Sequence, residues 1–248
     1  VPRSVRSADH VLADSQATRD DLVALYDVPE SKITVLLSGV DARFAPVSDD
    51  AELSRVRQRY ALPHTPFILS VGTVQPRKNY ARLIEALAQL RAEYPALHLV
   101  IAGGRGWLED PIYESLDRLN LRGAVTFTGF ADDADLPALY TLARAVALPS
   151  LYEGFGLPVL EAMACGTPVV TSNISSLPEV AGDAALLVDP LDIDALAAAL
   201  RQLLADESLR AGLRARGLAR AATFTWERSA RQLLEVYAHM LSADLPAL

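Results

Sequence analysis

The 248-residue sequence predicts a doubly wound α/β fold with a mostly parallel sheet. Short apolar runs rich in Val, Ile and Leu alternate along the chain with longer segments of helical periodicity. The apolar runs are mostly hydrophobic throughout rather than alternating, which is typical of strands whose two faces are both buried. Strands and helices alternate without an internal repeat or a low-complexity tract, as in successive βαβ units.

The predicted strands are short, and turns or helical segments separate them. In chain order, the strands are expected at residues 10–13, 33–37, 67–71, 97–102, 124–128, 145–148, 168–171 and 185–188. The spacing of apolar side chains predicts helices at residues 15–26, 79–93 and 192–205. Ser176 to Glu179 has the pattern of a capping box that opens a short helix. Residues 46–50 are expected to form a loop, and residues 205–207 a break between two helices.

Composition and charge exclude several classes of protein. The chain is 51% hydrophobic and 22% charged, as in ordinary globular proteins. The net charge of -8 argues against a general nucleic-acid-binding protein, although a few local cations suffice to hold a phosphate. Cys165 is the single cysteine, which excludes an intrachain disulfide and fits a reducing compartment. The sequence has no apolar run of about 18 residues, the length of a membrane span. We therefore expect a cytoplasmic protein and leave peripheral membrane contact open.

The first candidate site follows the strand at residues 67–71. Gly72 permits a tight turn close to a ligand. Arg77 and Lys78 come at the start of the next helix, where a guanidinium can bind a diphosphate with two hydrogen bonds and an ammonium adds a point charge. The helix N-terminus contributes a further positive field. The alternative is a pair of solvated charges, and the spacing alone leaves both interpretations open.

The second candidate site, residues 149–164, combines a glycine-rich loop with two carboxylates. Gly154 and Gly156 leave the loop open, with backbone N–H groups free to bind oxygens. Glu153 lies in the loop and Glu161 about one turn into the following helix, so both are expected to face one ligand at the carboxyl edge of the sheet. Carboxylates there can accept hydrogen bonds from sugar or ribose hydroxyls. The alternative, that Glu161 merely favours the helix N-terminus, explains neither Glu153 nor the glycines.

Several other features receive structural interpretations. The glycines of residues 103–106 predict a flexible turn. Phe130, which with Gly129 follows the strand at residues 124–128, is interpreted as a packing residue that could also lie beside a nucleobase. Tyr80 and Trp226 are expected to pack, and Cys165 to be buried.

The polar residues outside the two candidate sites show no metal-binding pattern. The histidines have no metal-ligand spacing. The Asp-x-Asp pairs, Asp133 with Asp135 and Asp192 with Asp194, are interpreted as carboxylates at helix starts. No Gly-x-Gly-x-x-Gly motif follows a strand, which disfavours a dinucleotide-dependent oxidoreductase.

Taken together, these segments resemble the retaining glycosyltransferases of the GT-B fold, glycosyltransferase family 4. The run from Glu153 to Glu161 matches the E-x7-E motif of that family. Residues 71–79 match its phosphate-binding segment, and residues 168–170 and 177–180 match the two stretches that follow. The resemblance covers roughly positions 33–240 and implies a Rossmann-like domain, the C-terminal half of a GT-B fold.

The resemblance also implies a division of the chain into three segments. Residues 1–40 would hold the last strand and helix of an N-terminal domain together with the interdomain linker. Residues 41–225 would form the nucleotide-sugar-binding domain, and residues 226–248 the helix that returns toward the N-terminal domain. A sugar or lipid-linked acceptor would then bind mostly to the N-terminal domain, so this portion alone is expected to bind the donor without turnover.

The same resemblance implies a role for each matching residue. Arg77 and Lys78 would hold the donor diphosphate and stabilise its charge as it leaves. Glu153 would contact hydroxyls of the transferred sugar, and Glu161 would bind the ribose. The other implied contacts are backbone approaches at Gly72, Phe155, Gly156 and Leu157, and a base site beside Gly129 and Phe130. Neither a metal nor another cofactor is expected.

One position departs from the family pattern. Many members carry Arg directly after the glycine equivalent to Gly72, whereas this sequence has Thr73, so the phosphate charge is left to Arg77 and Lys78. The pattern is similar to the subset that uses mannosyl or related hexosyl donors, which favours GDP-mannose and leaves UDP- and dTDP-hexoses open. The implied reaction is hexosyl transfer to an acceptor hydroxyl in polysaccharide biosynthesis. A non-catalytic nucleotide-binding module and a GT-B-fold epimerase or phosphorylase stay as alternatives.

Overall fold

The computed structural model describes residues 2–107 and 110–243, which contain two parallel sheets. The strands are β1 Val11–Ala13, β2 Ile33–Val35, β3 Phe67–Val71, β4 His98–Ala102, β5 Val125–Gly129, β6 Ala145–Leu148, β7 Val169–Ser172 and β8 Leu186–Val188. The helices are α1 Pro2–Ser7, α2 Gln16–Tyr26, α3 Asp50–Arg59, α4 Tyr80–Arg91, α5 Asp110–Arg118, α6 Leu136–Leu142, α7 Leu157–Ala164, α8 Leu177–Ala181, α9 Ile193–Ala205, α10 Glu207–Ala221 and α11 Trp226–Ala243. Each predicted strand is present, with ends shifted by at most two residues.

The larger sheet has the strand order β5-β4-β3-β6-β7-β8, and every neighbouring pair is parallel. The order runs outward in one direction from β3 and in the other from β6, which is the doubly wound arrangement. The predicted fold class is therefore confirmed.

Apolar side chains cover both faces of this sheet. Ile68 of β3 packs with α4 and α9 on one face, and Leu69 packs with α6 and α7 on the other. Cys165, at the end of α7, is buried as predicted, and burial raises the pKa of its thiol to about 12. Because both faces are filled by apolar side chains, ligands can approach the sheet only at its edges.

The predicted starts of α9 and α8 differ in outcome. The Asp192 carboxylate accepts a hydrogen bond from the Ala195 N–H at 2.8 Å, so it caps α9 as expected. The capping box at α8 is wrong, because Ser176 caps no N–H of its own helix. Its hydroxyl lies instead within hydrogen-bond distance of the carbonyls of Glu153 and Phe155, at 2.9 and 2.8 Å, and its single hydrogen can be shared between them. Ser176 thus fastens the loop before α7 rather than the helix that follows it.

The smaller sheet pairs β1 with β2 and lies beside the start of α11. Gln232 of α11 donates to the Val35 carbonyl at 2.8 Å, and Ser229 donates to the Leu37 carbonyl at 2.5 Å. The Val40 N–H donates to the Phe224 carbonyl at 3.0 Å. The segment after β2 and the segment before α11 are therefore joined by hydrogen bonds where they cross. The division at residues 1–40, 41–225 and 226–248 stays a prediction, and residues 244–248 lie outside the described part. Within the described ranges, no helix has both the length and the apolar composition of a membrane span.

Candidate functional site

The two candidate segments meet at the carboxyl edge of the larger sheet, where the strand order reverses. β3 and β6 are neighbours there, and the helices that follow them, α4 and α7, pack on opposite faces. Ligands of open α/β sheets bind in the crevice at such a point. The Leu151 N–H donates to the Arg77 carbonyl at 2.8 Å, so the two segments are in direct contact.

Glu153 is the centre of this contact. Its Oε1 accepts hydrogen bonds from Lys78 Nζ and Ser150 Oγ, both at 2.7 Å, and its Oε2 lies 2.5 Å from Arg77 Nη1. Burial opposes the ionisation of Glu153, but these donors together hold the pKa of its carboxyl below the ordinary value. The side chains of Lys78 and Glu153 are 7% and 9% exposed, whereas that of Arg77 is 39% exposed. We call these four residues the Glu153 cluster.

Gly72 makes room for the Glu153 cluster. A Cβ at this position would lie 2.7 Å from Lys78 Cε, and the backbone φ of +149° is one that side-chain-bearing residues rarely adopt. The buried Tyr80 hydroxyl donates to the Gly72 carbonyl at 2.9 Å, which confirms Tyr80 as a packing residue. Gly72 therefore lets the Lys78 side chain reach Glu153 across the turn.

Asn79 is a site residue that the sequence analysis missed. Its side chain is buried and donates to the carbonyls of Pro149 and Pro190, at 3.0 and 2.7 Å. Its left-handed backbone, with φ of 61°, ends the 3-10 turn Pro76–Lys78 and delays the start of α4 to Tyr80. Arg77 and Lys78 consequently lie in that turn, and not in the first turn of an α-helix. The sequence feature that indicates this turn is an Asn directly after two cations, because Asn adopts the left-handed backbone region more readily than most residues.

The loop before α7 is shaped by one glycine and one buried ring. Gly156 has a φ of +110°, and a Cβ there would lie 2.8 Å from Leu177 Cδ2. Phe155 is buried, and its ring meets that of Phe224 with centroids 6.0 Å apart. Leu157 is 39% exposed. The Phe155 ring is thus turned into the core, and the expected backbone contacts of residues 155–157 with a ligand stay a prediction.

Glu161 has a partner of its own. Its Oε2 accepts a hydrogen bond from the Tyr140 hydroxyl at 2.6 Å. Burial raises the pKa of the Glu161 carboxyl, and the Tyr140 hydrogen bond only partly opposes this. Burial and the neighbouring Glu161 charge hold the pKa of Tyr140 well above its ordinary value, so the hydroxyl stays a donor. The two predicted glutamates therefore lie at the same edge in opposite electrostatic environments.

A cleft of about 210 Å³ opens beside Glu161. Its polar and large apolar lining residues include Asp41, Arg43, Asp133, Leu136, Leu157 and Trp226. Trp226 is 51% exposed, so its interpretation as a packing residue is wrong. Arg43 pairs with Asp41 at 3.0 Å, and this hydrogen bond lowers the pKa of the Asp41 carboxyl. Arg43 was missed because it lies far from Glu161 in sequence and is brought near by the chain crossing at residue 40.

Phe130 and the glycine run also differ from their structural interpretations. Phe130 is 76% exposed, so it does not pack in the core. A Cβ at Gly103 would lie 2.0 Å from the Gly72 carbonyl oxygen, and the Val74 N–H donates to the Gly104 carbonyl at 2.9 Å. Gly103 is therefore required by close backbone contact, and so is Gly106, where a Cβ would lie 2.4 Å from the Val74 carbonyl oxygen, whereas a flexible turn was expected. The Gly103 N–H in turn donates to the Gly129 carbonyl at 2.9 Å, which links these loops across the sheet edge.

Asp135 lies directly before α6, at a helix start as predicted, but its side chain caps no N–H of that helix. Its side chain is 2% exposed and accepts hydrogen bonds from Tyr60 Oη at 2.8 Å and Arg59 Nη1 at 2.9 Å, with Arg55 as a third donor. We call these four residues the Asp135 cluster. In the described ranges, no three His, Cys, Asp or Glu side chains are grouped so that they could hold a metal ion.

A protein-family profile matches most of the chain. The profile is described as "Glycosyl transferases group 1" and matches residues 55–240. The chain belongs to this family. The matched range includes the Glu153 cluster and Glu161, so the site at the sheet edge lies within the part of this glycosyltransferase chain that defines the family.

Relatives of this family member include a mannosyltransferase and another glycosyltransferase. The O-antigen chain mannosyltransferase B of Escherichia coli is 41% identical over 238 residues, which cover 94% of this chain and 61% of that protein. The D-inositol 3-phosphate glycosyltransferase of Salinispora arenicola is 38% identical over 256 residues, covering 98% of this chain and 57% of that protein. The chain thus spans about three fifths of the length of these relatives.

Solved structures of other glycosyltransferases match the fold of this family member. Sucrose-phosphate synthase from Thermosynechococcus elongatus superposes with a TM-score of 0.83 at 30% identity, covering 98% of this chain and 61% of that one. Anabaena HepE in complex with UDP and glucose gives a TM-score of 0.85 at 26% identity, covering 95% of this chain and 64% of that one. These likenesses confirm the predicted GT-B type of α/β sheet.

Proposed function

We propose that this chain supplies the donor site of a retaining glycosyltransferase of family 4. The reaction is transfer of a hexosyl unit, of mannosyl type, from a nucleotide diphosphate sugar to an acceptor hydroxyl. The observation that carries the proposal is the Glu153 cluster, which joins the two loops at the point where the strand order reverses. This is where the fold offers a crevice for a nucleotide, and it holds the two cations expected to meet a diphosphate.

The proposed catalytic contribution of this chain is electrostatic. Arg77 is the exposed cation of the Glu153 cluster, so a diphosphate can reach it from solvent, while Lys78 is buried and held in place by Glu153. Fixed positive groups stabilise the negative charge that builds on the diphosphate as the bond to the sugar breaks. Glu161 binds the ribose hydroxyls, and the exposed ring of Phe130 lies beside the base. Neither step needs a metal ion.

The acceptor and the biological setting follow from the same proposal. A mannosyl donor is favoured by the likeness to an O-antigen mannosyltransferase, and GDP-mannose is the corresponding nucleotide sugar. UDP- and dTDP-hexoses are the alternatives, since HepE was solved with UDP and glucose. A sugar or lipid-linked acceptor binds mainly to an N-terminal domain, in cytoplasmic polysaccharide assembly at or near a membrane.

The donor assignment can be tested by calorimetry on this chain. We expect GDP-mannose to bind more tightly than UDP-glucose or dTDP-glucose, and a chelator to leave its affinity unchanged. Glu161→Ala removes an acceptor of ribose hydrogen bonds and should weaken GDP and GDP-mannose alike. A hydrogen bond to a charged group contributes about 1.5–3 kcal/mol, or roughly ten- to hundred-fold in affinity. Absence of binding by every nucleotide and nucleotide sugar would contradict the donor assignment.

The reaction type needs a separate experiment on the full-length natural protein. We expect a mannosylated acceptor whose anomeric configuration, read by NMR, is that of the donor. An epimerase would change the free or nucleotide-bound sugar without an acceptor, and a phosphorylase would require inorganic phosphate. Either of those products would replace the transferase assignment.

A further inference from the structure

The two cations expected to meet the donor diphosphate are both paired with a carboxylate of the same chain. Lys78 Nζ lies 2.7 Å from Glu153 Oε1, and Arg77 Nη1 lies 2.5 Å from Oε2. Two positive charges and one negative charge leave a single net positive charge in the Glu153 cluster. A diphosphate that binds at Arg77 therefore comes within a few ångströms of a fixed negative charge, which repels it in a partly buried site.

Glu153 is held too firmly to move away from an arriving anion. Ser150 Oγ donates to the same carboxylate oxygen as Lys78, at 2.7 Å. The Glu153 backbone is fixed as well, since its N–H donates to Ser175 Oγ at 3.0 Å and its carbonyl accepts from Ser176 Oγ at 2.9 Å. With the side chain only 9% exposed, the charge stays in place when a ligand binds.

The carboxylate still has room for one more hydrogen-bond donor. An ionised carboxylate offers about four acceptor positions. Lys78, Ser150 and Arg77 occupy three of them. A hydroxyl of a sugar attached to the diphosphate can donate to the remaining position and offset the repulsion. A bare nucleoside diphosphate has no hydroxyl there and meets the repulsion alone.

Sugar transfer increases the negative charge of the bound nucleotide, and the Glu153 carboxylate repels that charge. The bond between the anomeric carbon and the terminal phosphate oxygen breaks, and a bond from that carbon to the acceptor oxygen forms. The proton of the acceptor hydroxyl passes to the departing phosphate oxygen and from there to solvent. The nucleoside diphosphate that remains carries one more negative charge at neutral pH than it did as a diester, since a terminal phosphate ionises a second time near pH 6. The sugar hydroxyls leave with the product.

We propose that Glu153 is a specificity-determining residue that disfavours the spent nucleoside diphosphate, and inorganic pyrophosphate, relative to the intact nucleotide sugar. The inference rests on the proposed donor site and adds a role in product release. Neutralising Glu153 should tighten the product, whereas loss of a residue that only binds ligand would weaken it.

The test is calorimetric titration of wild type and Glu153→Gln with GDP, GDP-mannose and pyrophosphate. Glutamine keeps the shape and one acceptor oxygen but removes the charge. We expect GDP and pyrophosphate to bind about tenfold more tightly to the variant, which corresponds to ~1.4 kcal/mol. GDP-mannose should change by less than about threefold, because lost repulsion and a weaker hydroxyl contact act in opposite directions.

Two further variants keep the test decisive. Glu161→Gln is the matched control, because it neutralises the other glutamate of the motif and should weaken GDP and GDP-mannose by similar factors. Glu153→Asp retains a counter-ion for the buried Lys78, so this variant should fold even if Glu153→Gln does not. Its side chain is one methylene shorter, which moves the negative charge away from the ligand. We expect it to tighten GDP by about threefold, an intermediate gain.

The outcomes separate this inference from the proposed function. Unchanged or weaker binding of GDP to the folded Glu153 variants, with normal binding of GDP-mannose to wild type, would overturn the role of Glu153 and leave the donor site standing. Failure of GDP, GDP-mannose and their UDP counterparts to bind wild type would overturn both.

Discussion

Two carboxylates in this molecule, those of Asp135 and Glu153, are each bound by two cationic side chains and one hydroxyl group, but the elements that carry these donors differ. Asp135 accepts hydrogen bonds from Arg55, Arg59 and Tyr60, and Glu153 from Arg77, Lys78 and Ser150. Burial opposes ionisation in both, and in both the donors lower the carboxyl pKa below its ordinary value. By local chemistry alone, the two clusters are nearly the same.

The difference lies in what holds the donors. The Asp135 donors come from α3 and from Tyr60, which directly follows that helix. Asp135 itself precedes α6, so the cluster joins one helix to another. The Glu153 donors come from a 3-10 turn after β3 and from the loop after β6, with Gly72 opening the path of Lys78. The position at the strand reversal, rather than the ion pairs themselves, is the reason why we propose the Glu153 cluster as the functional one.

The largest expected effect is that of Lys78→Met. It leaves Glu153 buried with Arg77 as its single charged partner. Removing one member of a buried ion pair costs about 3–5 kcal/mol of the free energy of unfolding, to be measured by urea denaturation. Arg77→Met is the matched control, and since Arg77 is 39% exposed it should cost under ~1 kcal/mol. Equal losses would mean that burial does not distinguish the two cations.

Asp135→Asn should have the next largest effect, and on stability alone. It removes the charge that Arg55, Arg59 and Tyr60 share, at a cost of about 2–3 kcal/mol. Because the Asp135 cluster joins α3 to α6, the ratio of GDP to GDP-mannose affinity should stay at the wild-type value. A change in that ratio as large as that of Glu153→Gln would break the distinction between the two clusters.

Deleting the single neutral donor of each cluster sharpens the comparison. Tyr60→Phe and Ser150→Ala each remove one hydroxyl from a carboxylate, and each should cost about 1–1.5 kcal/mol in thermal or urea unfolding. Only Ser150→Ala should alter the affinity for GDP-mannose, since it frees an acceptor position beside the sugar. Equal ligand affinities in the two variants would count against Glu153 as the sugar-contacting group.

The smallest expected effect is the pH dependence of nucleotide binding. The Glu161 pKa is raised in the folded protein and the Glu153 pKa is lowered, so Glu161 gains a proton first as the pH falls. GDP affinity should therefore fall by about threefold, or ~0.7 kcal/mol, at a pH above the ordinary carboxyl pKa of 4.5. The loss is partial because a protonated carboxyl retains an acceptor oxygen.

The variants Glu161→Gln and Tyr140→Phe check this assignment. The first should remove the pH dependence of GDP binding in that range. The second should move its midpoint to higher pH, because the Tyr140 hydrogen bond favours the ionised carboxylate. In the folded state the ionised Glu161 carboxylate is destabilising, so the free energy of unfolding should increase as the pH falls through the folded pKa of Glu161. The ionised Glu153 carboxylate is stabilising, and its contribution should be lost only at lower pH, as the pH falls through the folded pKa of Glu153.

The sequence by itself determined the strands, the doubly wound fold class and the two loops that carry the Glu153 cluster. Strands such as residues 145–148 can be predicted because burial on both faces favours an uninterrupted run of apolar side chains. The turn at Gly72 and the loop at Gly156 could be predicted from the sequence because few residues other than glycine tolerate their backbone geometry. These requirements depend on residues that are close together in the chain, so the local sequence is enough to predict these elements.

Only the tertiary structure decided which charged residues pair. Asp135 looked like a helix-start carboxylate and is the centre of an ion cluster, while Trp226 looked like core and borders a cleft. Glu153 and Glu161 were both expected to face one ligand, and their carboxyls carry pKa shifts of opposite sign. The physical reason is that desolvation and Coulomb interactions depend on neighbours within a few ångströms in space. Those neighbours, Lys78 for Glu153 and Tyr140 for Glu161, come from distant parts of the chain.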